Sequence, residues 1–279
     1  MKYADLHVHT FYSDSTLSPE EVVHTAKEKG LAAIAICDHD SIDGIEPCEQ
    51  VGARLGVEII PAIEVTAEKP EVEIHVLGYF IDWKKDWFQK KLKEIQEWRV
   101  GRVYKMVDKL KDCNIKLDPK EIFNLAGKGS VGRLHVARAI LKAGKVKTLK
   151  EAFDKYIGFL KPCYVLDIRF SPQEAIDIIL KVGGIPVLAH PYIIGNDTYI
   201  EEFITYGLKG IEVYHIEHKN SVVKRYESIA RQHNLLMTGG SDCHGLGKGR
   251  ILMGSVKVPY ELVDKLRDEA KALKENRGI

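Results

Sequence analysis

Apolar and polar positions follow two textures in three stretches along the 279 residues. In the first 80, short apolar runs of strand length alternate with helical patterns. Tyr3 to Val8 reads as a strand, and Leu31 to Cys37 is a continuous apolar run. Val57 to Val65 and Glu73 to Phe80 read as two more strands. Between the first pair, Pro19 to Lys29 has a helical period, opened by Ser18-Pro19, with Glu20 and Glu21 in its first turn and Gly30 after its end. Ile42 to Leu55 is a second helix, stopped by Gly56. From Asp82 to about Lys161 strand signal disappears and charged amphipathic helices follow one another. From Ser171 the earlier rhythm returns. A helix in SPQEAIDIILKVGG is followed by strands in GIPVLAH, LKGIEVYH and NLLMTGGSD. Helical patterns lie at Ile200 to Tyr206, Val222 to His233 and Tyr260 to about Asn276.

Repeated β then α predicts a parallel sheet with crossover helices. Seven such strands fit a barrel better than a two-faced open sheet, which the pattern by itself still allows. The expected organisation is a barrel built from residues 1–80 and 165–279, with residues 81–164 as a helical insertion that serves as a substrate lid.

Composition changes this picture little. Lys+Arg number 41 and Asp+Glu 40, which excludes a histone-like coat and an acidic disordered tail. Five scattered cysteines without a CxxC pair support neither a zinc ribbon nor a disulfide framework. There is no signal-peptide pattern and no run of about 18 apolar residues, so no membrane association is expected, a reducing cytoplasm is the default, and no obligate protein partner is evident.

The 11 histidines are the exception. His7 and His9 end the first strand with a spacing that puts both on one face. Asp14 follows in the loop. His39 ends the second strand, Glu64 the third, and His75 lies in the fourth. His190 ends the fifth, and Asp242 and His244 follow the seventh. In β/α barrels the carboxyl ends of strands are where chemistry is assembled. A lone strand histidine is usually a satisfied core residue. Six of them with three carboxylates at equivalent positions would be costly to bury unless metal ions satisfied them together. Imidazoles and carboxylates without a thiolate suit Zn, Mn or Fe. Nine ligands are a comfortable number for two or three divalent ions. Such ions lower the pKa of water and clamp a tetrahedral transition state, so metal-assisted hydrolysis of a phosphate ester is the expected reaction.

Other residues carry weaker signals. His215 and His218 follow the sixth strand at the same end, as substrate-binding or acid/base candidates. Asp40 and Asp5 could orient ligands from behind. His24 and His233 read as solvated. Cys37 and Cys243 read as packing residues, and Trp83, Trp87 and Trp98 as anchors of the helical segment.

The motifs DLHVHTFYSD, CDHD, AHP and GSDCHG, in that order with Glu64 and His75 between them, resemble the PHP (polymerase and histidinol phosphatase) family. The resemblance implies a distorted seven-stranded (β/α)7 TIM-like barrel with a trinuclear metal site. It implies His7, His9, Glu64 and Asp242 around one ion. A second would be held by Glu64, His75 and His190, with Glu64 bridging, and a third by Asp14, His39 and His244. The segment GSVGRLHVARAIL resembles the branch containing 3′,5′-nucleoside bisphosphate phosphatases and 5′→3′ exoribonucleases. In that branch an Arg and a His bind substrate phosphate; here they are Arg133 and His135, with Leu134 in place of the usual Pro. EVYHIEH resembles the branch's YHxxH, with Ile216 replacing a Pro, and makes His218 a further phosphate-binding candidate. The backbone of GKGSVGR could add N–H donors, although its spacing is not that of a P-loop.

The expected activity is hydrolysis of a nucleotide phosphate monoester, of the 3′,5′-bisphosphate type, or of a short oligonucleotide by a metal-activated hydroxide. The alternatives are a histidinol phosphate phosphatase, and, in other classes, an amidohydrolase or a non-catalytic metal-binding module. Charge distribution favours a polyanionic substrate. Residues 81–164 hold 21 Lys+Arg against 10 Asp+Glu, while the remainder is acidic and supplies every candidate ligand.

Overall fold

The computed structural model describes residues 1–166 and 170–276. All seven expected strands form: β1 (Tyr3–Val8), β2 (Ala33–Ile36), β3 (Glu58–Lys69), β4 (Val72–Tyr79), β5 (Ile185–Leu188), β6 (Gly210–His215) and β7 (Leu236–Gly240). An eighth, β8 (Val258–Pro259), consists of two residues, too short for a pattern to reveal. The sheet order is β7-β6-β5-β4-β3-β2-β1-β8. Past the end of β7 the chain bridges back to β1, where the His9 amide donates to the Cys243 carbonyl at 3.1 Å. The sheet therefore curls into a nearly closed barrel.

The sheet is not wholly parallel, as repeated β then α predicted. β4 runs antiparallel to both β3 and β5, and β8 antiparallel to β1. The reason lies in the connection. No helix separates β3 from β4; they meet at a tight turn through Pro70 and Glu71, and so short a link joins only antiparallel strands. The resulting hairpin sets Thr66 opposite His75 and Glu68 opposite Glu73.

Crossover helices begin where capping chemistry puts them. Ser18 opens α1 (Pro19–Glu28) and Ser171 opens the helix Pro172–Lys181, each through a reciprocal box with the glutamate three residues on. The second helix, α2 (Ile45–Leu55), ends at Gly56, whose φ of +68° only glycine adopts without strain. The helical segment starts with α3 (Asp86–Asp112), followed by α4 (Pro119–Ala126), α5 (Arg133–Lys142) and the short α6 (Leu149–Ala152), which runs on into a π turn. The helix Pro172–Lys181 is α7. Then come α8 (Pro191–Ile194), α9 (Thr198–Thr205), α10 (Asn220–Gln232) and α11 (Glu261–Asn276).

Apolar side chains separate into three clusters. Ile34 and Ile36 of β2 join the large cluster that includes α1, α2 and α7. Ala33 and Ala35, alternating with them, join a smaller one filled by Leu6, Leu77, Tyr79, Val187 and by Val263 and Leu266 of α11. Tyr79 of β4 donates its hydroxyl to the Leu6 carbonyl of β1 at 2.9 Å, across the barrel interior. The helical segment has its own core around Met106, Leu110, Ile122, Val136, Ile140 and Ile157. Phe88, Leu92 and Ile95, at the start of α3, belong to the barrel's large cluster instead. That one helix, about 40 Å long, therefore stands in both cores. Residues 167–169 and 277–279, within the expected second barrel segment, lie outside the described residues. The five cysteines are free, although Cys113 and Cys163 meet with their sulfurs 3.4 Å apart.

Candidate metal centre

The nine expected ligands gather at one side of the barrel, seven of them at strand ends or in the loops that follow. Glu64 does not end its strand as expected but lies within β3, which runs on to Lys69, and His75 lies within β4. The backbone bends sharply at two of them, His190 and Asp242, and beside a third, at Asp40. Asp40, His190 and Asp242 have φ values of +49°, +28° and +50°, a region costly for residues with a Cβ and maintained where the surroundings over-determine it. Close packing of β7 on β1 has its own requirement. A Cβ on Gly240 would collide with the backbone of His7, which accounts for the second glycine in GGSD.

Glu64 is the hub. It is fully buried, and its two oxygens lie 3.2 Å from His7 Nε2, 3.3 Å from His9 Nε2, 3.2 Å from His39 Nδ1, 2.8 Å from His75 Nδ1 and 3.1 Å from His190 Nε2. Asp242 Oδ1 is 3.1 Å from His9 Nε2, and Asp14 Oδ1 is 3.0 Å from His244 Nε2. Three sets of converging ligand atoms result: His7, His9, Glu64 and Asp242; His9, Asp14, His39 and His244; and His39, Glu64 and His75. The first is the set that the resemblance implied. His9 also reaches the Asp14 set, and His39 bridges to the Glu64–His75 pair, with His190 Nε2 at 3.3 Å from His75 Nδ1.

The chemistry of this donor set fits divalent cations. Asp14 Oδ1 and His39 Nδ1 are buried next to opposite partners yet make no hydrogen bond. Their lone pairs converge on shared space rather than on each other. Protonation behaviour points the same way. Burial opposes charge on His75, but the Glu64 and Glu73 carboxylates outweigh it and carry the imidazole up to about 10. Burial and the neighbouring His244 push His9 down to about 4. Burial works against ionised Glu64 as well, yet His39, His75 and His7 hold it well below the usual carboxylate range. A crowd of carboxylates drawing positive charge onto some imidazoles while others stay neutral is a cluster short of cations.

Carboxylates that the sequence reading missed stand behind the imidazoles. Glu212 of β6 is 3.0 Å from His7 Nδ1 and accepts the His190 amide at 2.8 Å. Glu73 of β4 is 3.1 Å from His75 Nε2. A carboxylate behind a ligand imidazole fixes its tautomer and orientation. The available signals were an acid inside the apolar run GIEVYH and an acid two residues before a strand histidine. Asp38 was missed too: it accepts from Thr10 and from Ser13, whose hydroxyl is 3.5 Å from His9 Nδ1.

Asp40 does not orient an imidazole. Its carboxylate takes the Thr66 amide at 3.0 Å and Arg99 Nε at 2.6 Å, tying α3 to the barrel. Asp5 likewise touches no imidazole. It accepts from the Ser241 amide and hydroxyl at 2.8 and 2.6 Å and from the Gly254 amide at 2.9 Å, anchoring the loop that carries Asp242. The GKGSVGR backbone has no free donors to offer at Gly129, Ser130 and Gly132. Those amides donate to Ala126 O, Tyr12 O and His135 Nδ1, respectively, because the loop is folded against the one after β1.

Arg133 and His135 open α5. Arg133 lines a cavity of about 800 Å³ together with Asp14, His39, His75 and His244, with Met106, Leu149 and Phe153 forming an apolar wall. Its Nη2 is in close contact with Glu73 Oε1. His135 accepts the Gly132 amide at Nδ1 (3.1 Å), which leaves the proton on Nε2; burial pushes its pKa down to about 4, so it is neutral near pH 7. His218 donates Nδ1–H to the Val213 carbonyl at 2.8 Å, leaving a buried Nε2 lone pair without a partner. His215 accepts the Glu217 amide at Nδ1, and its Nε2 faces Asp242 Oδ2 at 3.6 Å. Trp98 stacks on Arg102, and Trp83 and Trp87 pack against the large core, as anchors.

Residues 5–168 match the sequence profile of the PHP domain. The chain belongs to the PHP domain family. The 3′,5′-nucleoside bisphosphate phosphatase of Chromobacterium violaceum is 30% identical to this PHP protein over 263 residues, covering 89% of this chain and 90% of that one. The 5′-3′ exoribonuclease Rnm of Escherichia coli is 32% identical over 247 residues, 86% and 84% of the two chains. A crystal structure from Bifidobacterium adolescentis, assigned as a metal-dependent phosphoesterase, superposes with a TM-score of 0.86 at 28% identity, covering 94% of each chain. The metal-dependent phosphoesterase expected from the sequence agrees with these relatives. Among the described residues, no helix is long and apolar enough to cross a membrane.

Proposed function

We propose that this PHP protein hydrolyses phosphate monoesters of nucleotides, of the 3′,5′-bisphosphate type, or short oligonucleotides. The observation that carries the proposal is the juxtaposition, around one cavity, of a buried carboxylate–imidazole cluster with Arg133 on a strongly basic helical segment, which in this reading is the lid. In this reading His7, His9, Glu64 and Asp242 hold one divalent ion, Glu64, His75 and His190 a second, and Asp14, His39 and His244 a third, with Mn, Fe and Zn as the candidate metals. When bound, such ions act as Lewis acids and lower the pKa of coordinated water.

The chain's own residues do the rest. Arg133 presents a planar fork of donors that matches phosphate oxygens. His135, neutral with its proton on Nε2, donates a hydrogen bond without adding charge. His218 was expected to bind phosphate, but with Nδ1–H engaged by the Val213 carbonyl and only a buried lone pair at Nε2 it lacks the donor that such a contact needs. In this reading His215, whose buried Nε2 faces Asp242 Oδ2 at 3.6 Å, is a candidate for the acid that protonates a leaving alkoxide. The apolar wall of Met106, Leu149 and Phe153 limits water around the ester and strengthens each of these contacts.

The test is phosphate release from a panel containing a nucleoside 3′,5′-bisphosphate, a 5′-phosphorylated oligonucleotide and histidinol phosphate, with Mn, Fe and Zn compared after elemental analysis of bound metal. Turnover of the nucleotide substrates is expected. Strong activity confined to histidinol phosphate overturns the proposal.

A further inference from the structure

Glu73 sits two residues before His75 on β4, so both side chains leave the same face of the strand. Its carboxylate is nearly buried and is shared. Oε1 lies 3.1 Å from His75 Nε2 and in close contact with Arg133 Nη2, while Oε2 is 3.4 Å from both terminal nitrogens of Arg102. Directly opposite in the hairpin, Glu68 pairs with Arg102 at 2.7 Å and accepts the Tyr164 hydroxyl at 2.8 Å. Like charges facing one another across two strands repel. Here a guanidinium from α3 and another from α5 offset the repulsion, and both lie over the Tyr164 ring, at 5.1 and 5.4 Å.

We propose that Glu73 is a positioning residue that couples the metal side of the site to the phosphate side, through His75 on one hand and Arg133 on the other. The inference rests on the reading of His75 as a ligand and Arg133 as a phosphate donor. An imidazole that ligates a metal is neutral and has one N–H. With the Glu73 carboxylate accepting it at Nε2, the lone pair of His75 is at Nδ1, which faces Glu64 Oε1 at 2.8 Å. The same oxygen restrains a long, flexible arginine. One terminal nitrogen of Arg133 is engaged, and the other donors of the fork have no hydrogen-bond partner among the described residues. Phosphate therefore meets an arginine whose side-chain freedom is already lost, which is the gain from preorganisation. An amide in place of the carboxylate would remove the charge and turn a donor toward either Arg133 and His75 or Arg102, so that Arg133 and the His75 proton would both be held less firmly.

The experiment compares Glu73→Gln, Glu68→Gln, Arg133→Ala and the double variant Glu73→Gln/Arg133→Ala in the full chain. It reads kcat and KM on a nucleoside 3′,5′-bisphosphate, and Mn²⁺ dissociation constants without substrate. Glu73→Gln is expected to weaken Mn²⁺ binding by about 10- to 100-fold and to raise KM about tenfold. In the Arg133→Ala background it adds no further rise in KM. Glu68→Gln cuts the same ionic cluster on its other side. It is expected to lower thermal stability while leaving Mn²⁺ affinity and KM in place, which a merely structural role for Glu73 would not separate. Unchanged Mn²⁺ affinity in Glu73→Gln, or KM effects that multiply with those of Arg133→Ala, overturns the coupling. If Glu73→Gln does not fold, Glu73→Asp keeps the charge but withdraws it by one methylene, and wild-type values of both readouts overturn the coupling equally. Arg133→Ala without effect on KM would instead overturn the phosphate reading beneath it.

Discussion

The barrel end and the helical segment face the same cavity and are built on opposite electrostatic plans. At the barrel end, acceptors crowd: Glu64 lies within 3.3 Å of five imidazoles, and Glu212, Asp242 and Asp14 stand around them. The helical segment contributes donors, and its arginines each reach an oxygen outside the segment. Arg99 meets Asp40, Arg102 meets Glu68 and Glu73, Arg133 meets Glu73, and Arg138 meets the Asp14 carbonyl at 2.7 Å. Positive charge therefore has two sources. Side chains supply it at the rim, while the centre has imidazoles and carboxylates alone, which call for metal.

The comparison breaks most decisively at Glu64. Glu64→Gln removes the shared charge and is expected to lower kcat/KM on the order of 10³-fold, the several kcal/mol of Lewis-acid catalysis, with bound metal falling by elemental analysis. A variant with full metal content and activity would show the hub to be dispensable. At the seam between the regions, Arg99→Ala strands Asp40 and is expected to cost about 3 kcal/mol of stability in urea unfolding. A loss near zero would mean that the segment docks by apolar packing alone.

A third measurement probes the barrel by pH. Burial pushes Asp5 up to about 6 from an ordinary 3.8, despite the hydrogen bonds from Ser241 and Gly254. Between those values the native state holds a proton that the unfolded chain has released, so stability falls as pH rises through the window. In chelator, wild type is expected to lose about 3 kcal/mol relative to Asp5→Asn between pH 3 and pH 7, most of it between pH 4 and pH 6; parallel curves would refute this. Smallest in energy, Arg133→Ala is expected to raise KM for the bisphosphate by roughly 30-fold, about 2 kcal/mol for a charge-assisted pair. Its Mn²⁺ affinity should change less than that of Glu64→Gln, keeping the two regions distinguishable.

Much of this arrangement was legible in the chain. The HxH pair and the CDHD and GSDCHG loops mark strand ends, and strand ends of a barrel converge whatever the intervening helices do. Glu64 was legible as a strand carboxylate, although its strand runs on to Lys69. Less legible was anything that depended on which strands are neighbours. The antiparallel β4 follows from a missing helix between Lys69 and Val72, visible in principle but read as part of a regular alternation. Glu73, Glu212 and Arg99 are buried charges whose partners come from distant elements. A single acid in an apolar run does not say whether it meets a histidine, an arginine or water. Asp40 illustrates the converse: its place beside His39 suggested an orienting role, yet its left-handed backbone turns it toward α3.

The β3–β4 hairpin bears on the order of assembly. Glu64 and His75 are joined by a turn that closes on the timescale of an isolated hairpin, about 1–10 μs, whereas His9 and Asp242 are 233 residues apart. Loop closure over such a span is the slow part of building non-local contacts. Two of the nine candidate ligands, the hub among them, are thus in place as soon as the hairpin forms, and the Asp242 side closes over them when the chain comes full circle. Metal added before refolding begins would then meet an incomplete cage first, and the rate of native-like metal retention would report on barrel closure itself.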